Sequence, residues 1–243
     1  MRSNRTDATI RAGGVSLIAG AVAFVVVFGF LAARFDYPAI LDGSAAEVLP
    51  KLLATGTTGR AVWALYGLLP LVWIPAGVGA FHALRLGREG SARTAMLFAV
   101  LASISMMLGL LRWPSVHWAL AEAYVAGGPS EKAVIAALFT GLNSYLGNYL
   151  GEFVGELSFS IFFLLSALAM LAPGARFPRW MGYLGLVTAV AGLVGMFRNV
   201  TDVVDPVAEV NNYLLPLWMI VFGVGLLRYA RVASLASSAN AVA

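Results

Sequence analysis

Cysteine is missing from the chain altogether, only two histidines and two lysines occur, and charged residues make up just 12% of the 243 positions. Without cysteine there are no disulfides, no thiolate metal sites and no thiol nucleophile. Two histidines, His82 and His117, cannot supply a three-histidine zinc site. They also fall near opposite ends of apolar stretches, which excludes a haem held by both inside a bundle. Lys51 and Lys132 lie between apolar stretches, so no span offers an amine for a Schiff base. Ser103, Ser105, Ser158 and Ser160 have no histidine nearby to act as base, which argues against a serine protease. Gly77 and Gly79 lack the G-x-G-x-x-G spacing of a nucleotide loop. The shortage of charge is itself informative, because a soluble domain carries about 25% charged residues.

Hydrophobic residues account for 60% of the sequence. They gather in six stretches, at 13–34, 61–84, 94–112, 152–172, 180–198 and 211–228. About 20 mostly apolar residues are needed for a helix to cross the hydrocarbon layer. Only helices and closed barrels satisfy the backbone in lipid. The expected fold is therefore all-α, a polytopic transmembrane bundle of six spans arranged as three hairpins. Residues 1–12 form an N-terminal tail, 13–228 the membrane domain, and 229–243 a low-complexity C-terminal tail expected to fray. The basic start followed by an apolar run imitates a secretory signal, but the run exceeds the usual 7–15 residues, so it is read as an uncleaved first span.

The net charge of +4 is sorted by side. One set of ends and connections carries ten arginines against Asp7 and Glu89, a balance of +8. The other carries six basic residues against ten acids, a balance of −4. Enrichment of Arg and Lys on one side places both termini in the cytoplasm. The basic excess is thus a topology signal facing an anionic leaflet, with no nucleic-acid partner implied. The expected location is a bacterial plasma membrane, the bilayer being the first partner and a homo-oligomer a further one.

Connections on the basic side are short, at 86–92 and 173–179. Those on the opposite side are longer. Residues 44–53 read as a short amphipathic helix broken by Pro50, and 113–151 as the largest loop, split at Gly127-Gly128, with Ser130 capping a helix from Glu131. Arg34, Arg112 and Arg198 close the three outgoing helices, each followed by a proline. A repeat joins Leu68, Pro70, Leu71, Ile74, Gly77 and Gly79 to Leu214, Pro216, Leu217, Ile220, Gly223 and Gly225. It is read either as duplication, as in transporters with a site between repeats, or as ordinary kinking and close packing of membrane helices.

The candidate site centres on Glu152 and Glu156, four residues apart and so on one helical face. Tyr145 and Tyr149 share that face at α-helical spacing, together with Leu138 and Leu142, which should turn it toward protein. A carboxylate within a membrane helix needs a partner, a proton or water. Arg112 and Arg198 are the candidate partners. Two close carboxylates resist double ionisation, so the pair suits an acid, a proton relay or a cation site. His117 either joins them or belongs to an aromatic belt with Trp113 and Trp118. The candidate ligand-binding set is Glu152, Glu156, Arg112, Arg198, Tyr149, Tyr145 and His117. No metal, cofactor or catalytic residue is assigned.

Phe35, Asp36, Tyr37 and Pro38 with Ile40 and Leu41, then Ala46 to Leu49, resemble the first outer loop of a family of bacterial six-span membrane proteins catalogued as a domain of unknown function. Leu111 to Pro114, and Tyr145 to Gly147 with Gly151 and Glu152, resemble its later landmarks. The resemblance implies the six-span fold and no activity. It also implies a histidine after the glutamate, where this chain has Phe153, so no family-wide metal site is expected here. Three readings follow. The first is a protein binding or passing a small or lipid-like ligand through an outward-facing polar pocket, with bends at Pro70, Pro75 and Pro216. The second is an intramembrane cyclase or isomerase using Glu156 and Glu152 as an acid-base pair. The third is a structural or regulatory subunit without a ligand.

Overall fold

A computed structural model describes residues 4–85 and 89–242. Every regular element among the described residues is helical. The helices are α1 (Asn4–Phe35), α2 (Ala45–Ala54), α3 (Gly56–Leu68), α4 (Trp73–Leu84), α5 (Glu89–Leu111), α6 (Trp118–Ala126), α7 (Pro129–Leu142), α8 (Gly155–Leu171), α9 (Arg179–Gly195) and α10 (Asp205–Val242). Through short 3-10 and π segments they merge into six apolar helical stretches: Arg5–Phe35, Gly56–Leu84, Glu89–Ala126, Pro129–Leu171, Arg179–Asn199 and Asp202–Val232. Each is long and apolar enough to cross a membrane, so the chain is a multi-pass membrane protein.

The third and fourth stretches are far longer than the sequence reading drew them, at 38 and 43 residues. The expected loop 113–151 is helix almost throughout. Its apolar residues recur at helical spacing across a section whose charges had marked it as loop. The turn at Gly127-Gly128 stands, but the helix after it starts at Pro129, whose absent N–H is no loss at a helix start. The Glu131 carboxylate accepts from the Gly128 N–H at 2.8 Å, so Ser130 is not the cap. Helix α2 also runs through Pro50 unbroken, burying Ala45, Val48, Leu49 and Leu52 on one face.

Two compact units divide the chain. The first comprises 1–22, 71–104 and 155–243, the second 23–70 and 105–154. In the first, α9 packs between α8 and α10, and α4 packs on both α8 and α10. Glycines set the closest approaches there. A Cβ on Gly13 would lie 2.8 Å from the Pro75 carbonyl oxygen, and one on Gly14 would lie 2.7 Å from that of Gly223. Neighbouring glycines of α1 thus receive α4 and α10, the two helices that carry the sequence repeat. The repeated prolines act differently. Pro70 lies in a 3-10 segment, Leu69–Val72, between α3 and α4, with Pro75 close behind, whereas Pro216 sits inside continuous α10.

In the second unit α2 packs on α6 and α7, and α6 packs on α7. The core is aromatic: Phe35, Trp63, Tyr66, Trp113, Trp118 and Phe139 are buried with Leu31, Val48, Leu49 and Leu52. Trp63 and Trp113 stack with centroids 4.9 Å apart and planes at 22°. Phe35 meets both edge-on. Such pairs contribute about 0.5–1.5 kcal/mol each beyond the area they bury.

Candidate functional site

Pro114 explains the first irregularity near the site. It has no N–H to continue the α ladder, and the chain opens into a π turn over Trp113–His117, with the His117 N–H donating to the Arg112 carbonyl at 2.8 Å. The widened turn carries Arg112 into the interior, where it is only 4% exposed. Helix α5 ends at Leu111, just before Arg112, but the helical stretch runs on to Ala126. The Pro114 carbonyl accepts from Arg60 Nε at 3.0 Å, and the Arg60 guanidinium lies over the Trp118 ring.

Opposite this turn stands a second and longer π segment, Asn143–Val154. Its buried residues, Asn143, Gly147 and Gly151, recur every four positions, wider than the 3.6 of an α-helix. They form a cradle. Arg112 Nε donates to Asn143 Oδ1 at 3.1 Å, and Nη1 donates to the Gly109 carbonyl at 2.6 Å. Asn143 is itself held, its Nδ2 donating to the Leu41 carbonyl at 3.2 Å. A Cβ on Gly147 would come within 2.5 Å of Arg112 Cζ and 2.8 Å of Nε, so only glycine leaves the guanidinium its place. A Cβ on Gly109 would lie 2.5 Å from the Gly151 Cα. The guanidinium also covers the Trp113 ring at 4.9 Å, a cation–π contact.

Glu152 lies close enough to act electrostatically on both Arg112 and Tyr66. The Tyr66 hydroxyl is 3.4 Å from that of Tyr37, and Tyr37 also acts on Arg112. The second unit thus gathers Arg112, Asn143, Glu152, Tyr37 and Tyr66 into one polar centre under an aromatic core. His117 is beside it and fully buried, between Trp113 and Phe139 with ring centroids 4.8 Å from each. Neither imidazole nitrogen has a hydrogen-bond partner among the described residues. Its expected place in an aromatic belt is corrected: the π turn points it inward.

The first unit holds Glu156 and Arg198. Arg198 Nη1 donates to both carboxylate oxygens of Glu156, at 2.7 and 2.8 Å. Their side chains are 18% and 29% exposed. Glu156 is thus bonded to Arg198 within the first unit, while Glu152 acts on Arg112 within the second. Among the described residues no three of His, Asp or Glu come together as metal ligands. Tyr145 and Tyr149 are 67% and 45% exposed, and Leu138 is exposed as well. Their predicted inward face is corrected, because the π segment turns its glycines inward and its tyrosines out.

The profile of the DUF4386 family, described as a domain of unknown function, matches residues 12–238. The chain belongs to the DUF4386 family. No curated protein and no solved structure matches it. In this DUF4386 chain the sequence pointed to Tyr37 and Gly147 only as family landmarks, and Asn143 and Tyr66 not at all. The four-residue recurrence of Asn143, Gly147 and Gly151 was the available signal for Asn143 and Gly147.

Proposed function

We propose that this protein binds a small or lipid-like ligand at the polar centre of the second unit, and that Arg112, Glu152 and Tyr66 are the groups that meet it. The observation that carries this reading is a pair of π segments bracketing one buried arginine. Such segments recur at functional sites in helices, and a helix built only to span a bilayer gains nothing from them. An ionisable group within a membrane helix carries the same implication. The surroundings suggest the chemistry. The Arg112 guanidinium lies over Trp113 of the aromatic core, and Glu152 acts on Arg112 and Tyr66, which suits a molecule with a polar head and an apolar body.

The sorted charges support a plasma-membrane orientation with both termini in the cytoplasm. The site then opens toward the outer face.

Native mass spectrometry on protein purified from membranes tests the site. The wild type and E156Q should carry a co-purified small molecule that E152Q lacks, all three remaining folded by size exclusion. A wild type that carries nothing, or an E152Q protein that carries as much, defeats the proposal.

A further inference from the structure

The first unit contains a groove that the ligand reading above does not use. It lies between the start of α9 and the later half of α10, has a volume of about 410 Å³, and is lined by twelve residues from the segments 176–181 and 220–232. Its floor is rigid. Phe177 and Tyr229 are buried and stack with centroids 5.3 Å apart and planes at 4°. Gly225 completes the floor, since a Cβ there would strike the Met181 methyl and lie 3.4 Å from Phe177. Ile220, Val221 and Val224 form an apolar track along α10. From residue 220 to residue 228 the track is about 12 Å long, at a rise of 1.5 Å per residue.

At the end of that track stand Arg176 and Arg228, both exposed and both lining the groove. Among the described residues no acid lines it. The sequence explains the imbalance, for no acid occurs between Glu156 and Asp202 or after Glu209. Arg179 and Arg231 lie three residues on from each of these arginines. Trp180, 56% exposed, sits on the same rim. This composition separates the groove from an ordinary lipid-facing crevice. An acyl chain alone has no use for two guanidinium groups, and a soluble anion has no use for the apolar track.

We propose that this groove is a binding site for an anionic glycerophospholipid, its phosphate held by Arg176 and Arg228 and one acyl chain laid along Ile220, Val221 and Val224. Arginine suits the role because its planar fork meets phosphate oxygens two at a time. Basic pockets between membrane helices are a recurring form of headgroup recognition. The charge complementarity selects anionic over zwitterionic lipid, and the track selects a lipid over free phosphate.

The test uses the full chain, stripped of lipid in detergent and titrated with phosphatidylglycerol or phosphatidylcholine, with bound lipid counted by native mass spectrometry. The wild type should prefer phosphatidylglycerol. At roughly 1 kcal/mol per arginine near an anionic headgroup, R176Q/R228Q should weaken that binding on the order of tenfold or more. R176K/R228K should recover part of it, which also shows that the positions tolerate change. V224W should fill the track and weaken binding with both arginines intact. Equal binding of the two lipids by the wild type overturns the proposal, as does an undiminished preference in R176Q/R228Q. Loss in R176Q/R228Q without loss in V224W overturns it too, because the arginines would then act as surface charge outside the groove.

Discussion

Arg112 and Arg198 both belong to helical stretches long enough to span a bilayer, yet the two units accommodate them in different ways. In the first unit Arg198 follows α9 in a 3-10 segment, is partly exposed, and closes directly on Glu156 of α8. Opposite charges are in direct contact there, and neither side chain is fully buried. In the second unit Arg112 is buried, and its hydrogen bonds go to neutral acceptors, Asn143 and Gly109, with a tryptophan face beneath and glycine making the room. Glu152 acts on it electrostatically as part of a wider polar centre. A direct pair uses up both charges in holding helices together. An arginine cradled by neutral groups keeps its charge and a fixed direction, which is the arrangement recognition requires.

The largest effect should come from breaking the cradle. R112M leaves Asn143 Oδ1 buried without its Arg112 donor and removes the charge on which Glu152 acts. Removing one member of a buried charged network costs about 3–5 kcal/mol, to be read as a lower thermal midpoint in detergent. G147A should cost about 1–3 kcal/mol by overpacking. In the R112M background that cost should largely vanish, since the guanidinium it strikes is gone. Equal costs of G147A in both backgrounds would mean that Gly147 serves only the backbone.

The ion pair of the first unit should respond less. E156Q should cost about 1–2 kcal/mol, below the fully buried range because both side chains are partly exposed. E156Q/R198M should recover most of it, the interaction energy of a double-mutant cycle isolating the pair. If the double variant is no better than the sum of the single ones, the pair is not what joins α8 to the segment after α9.

His117 divides packing from function within the second unit. H117F keeps the rings against Trp113 and Phe139 and removes two buried nitrogens that lack partners. Replacing an unsatisfied buried polar group by an apolar one of similar shape is near neutral or stabilising, by about 1 kcal/mol. If H117F gains stability and the co-purified ligand of the wild type disappears, the imidazole serves binding. Gained stability with the ligand retained assigns it to the core.

The six spans were legible because lipid leaves few choices: runs as apolar as 13–34 or 94–112 form helices or do not enter the bilayer. The ion pair of Glu156 with Arg198 was legible as one of a list of candidates, because charges within spans must find one another. The faces were not. The reading assumed α-helical spacing, under which Tyr145, Tyr149 and Glu152 lie together. The π segment 143–154 breaks that period, and Asn143, Gly147 and Gly151 become the inner line. The length of the third and fourth stretches was also missed. Glu122, Glu131 and Lys132 marked a loop, although a helix that outruns the hydrocarbon layer can carry charge on its far turns.

The smallest effect then falls on the residues the α-helical period favoured most. If Tyr145 and Tyr149 lay on the ligand-facing side, Y145F and Y149F would remove hydroxyls from the site, and a ligand bound through Glu152 would be released. The structure leaves both rings exposed, so each change should alter stability by less than about 0.5 kcal/mol and leave ligand retention as in the wild type. The tyrosines report on the backbone as well as on the site. Cysteine labels at 145 and 149 should react readily, while labels at 143 and 147 should not. The reverse pattern would restore an α-helical 143–154 and, with it, a single face holding both glutamates, so that the contrast between a cradled and a paired arginine would no longer hold.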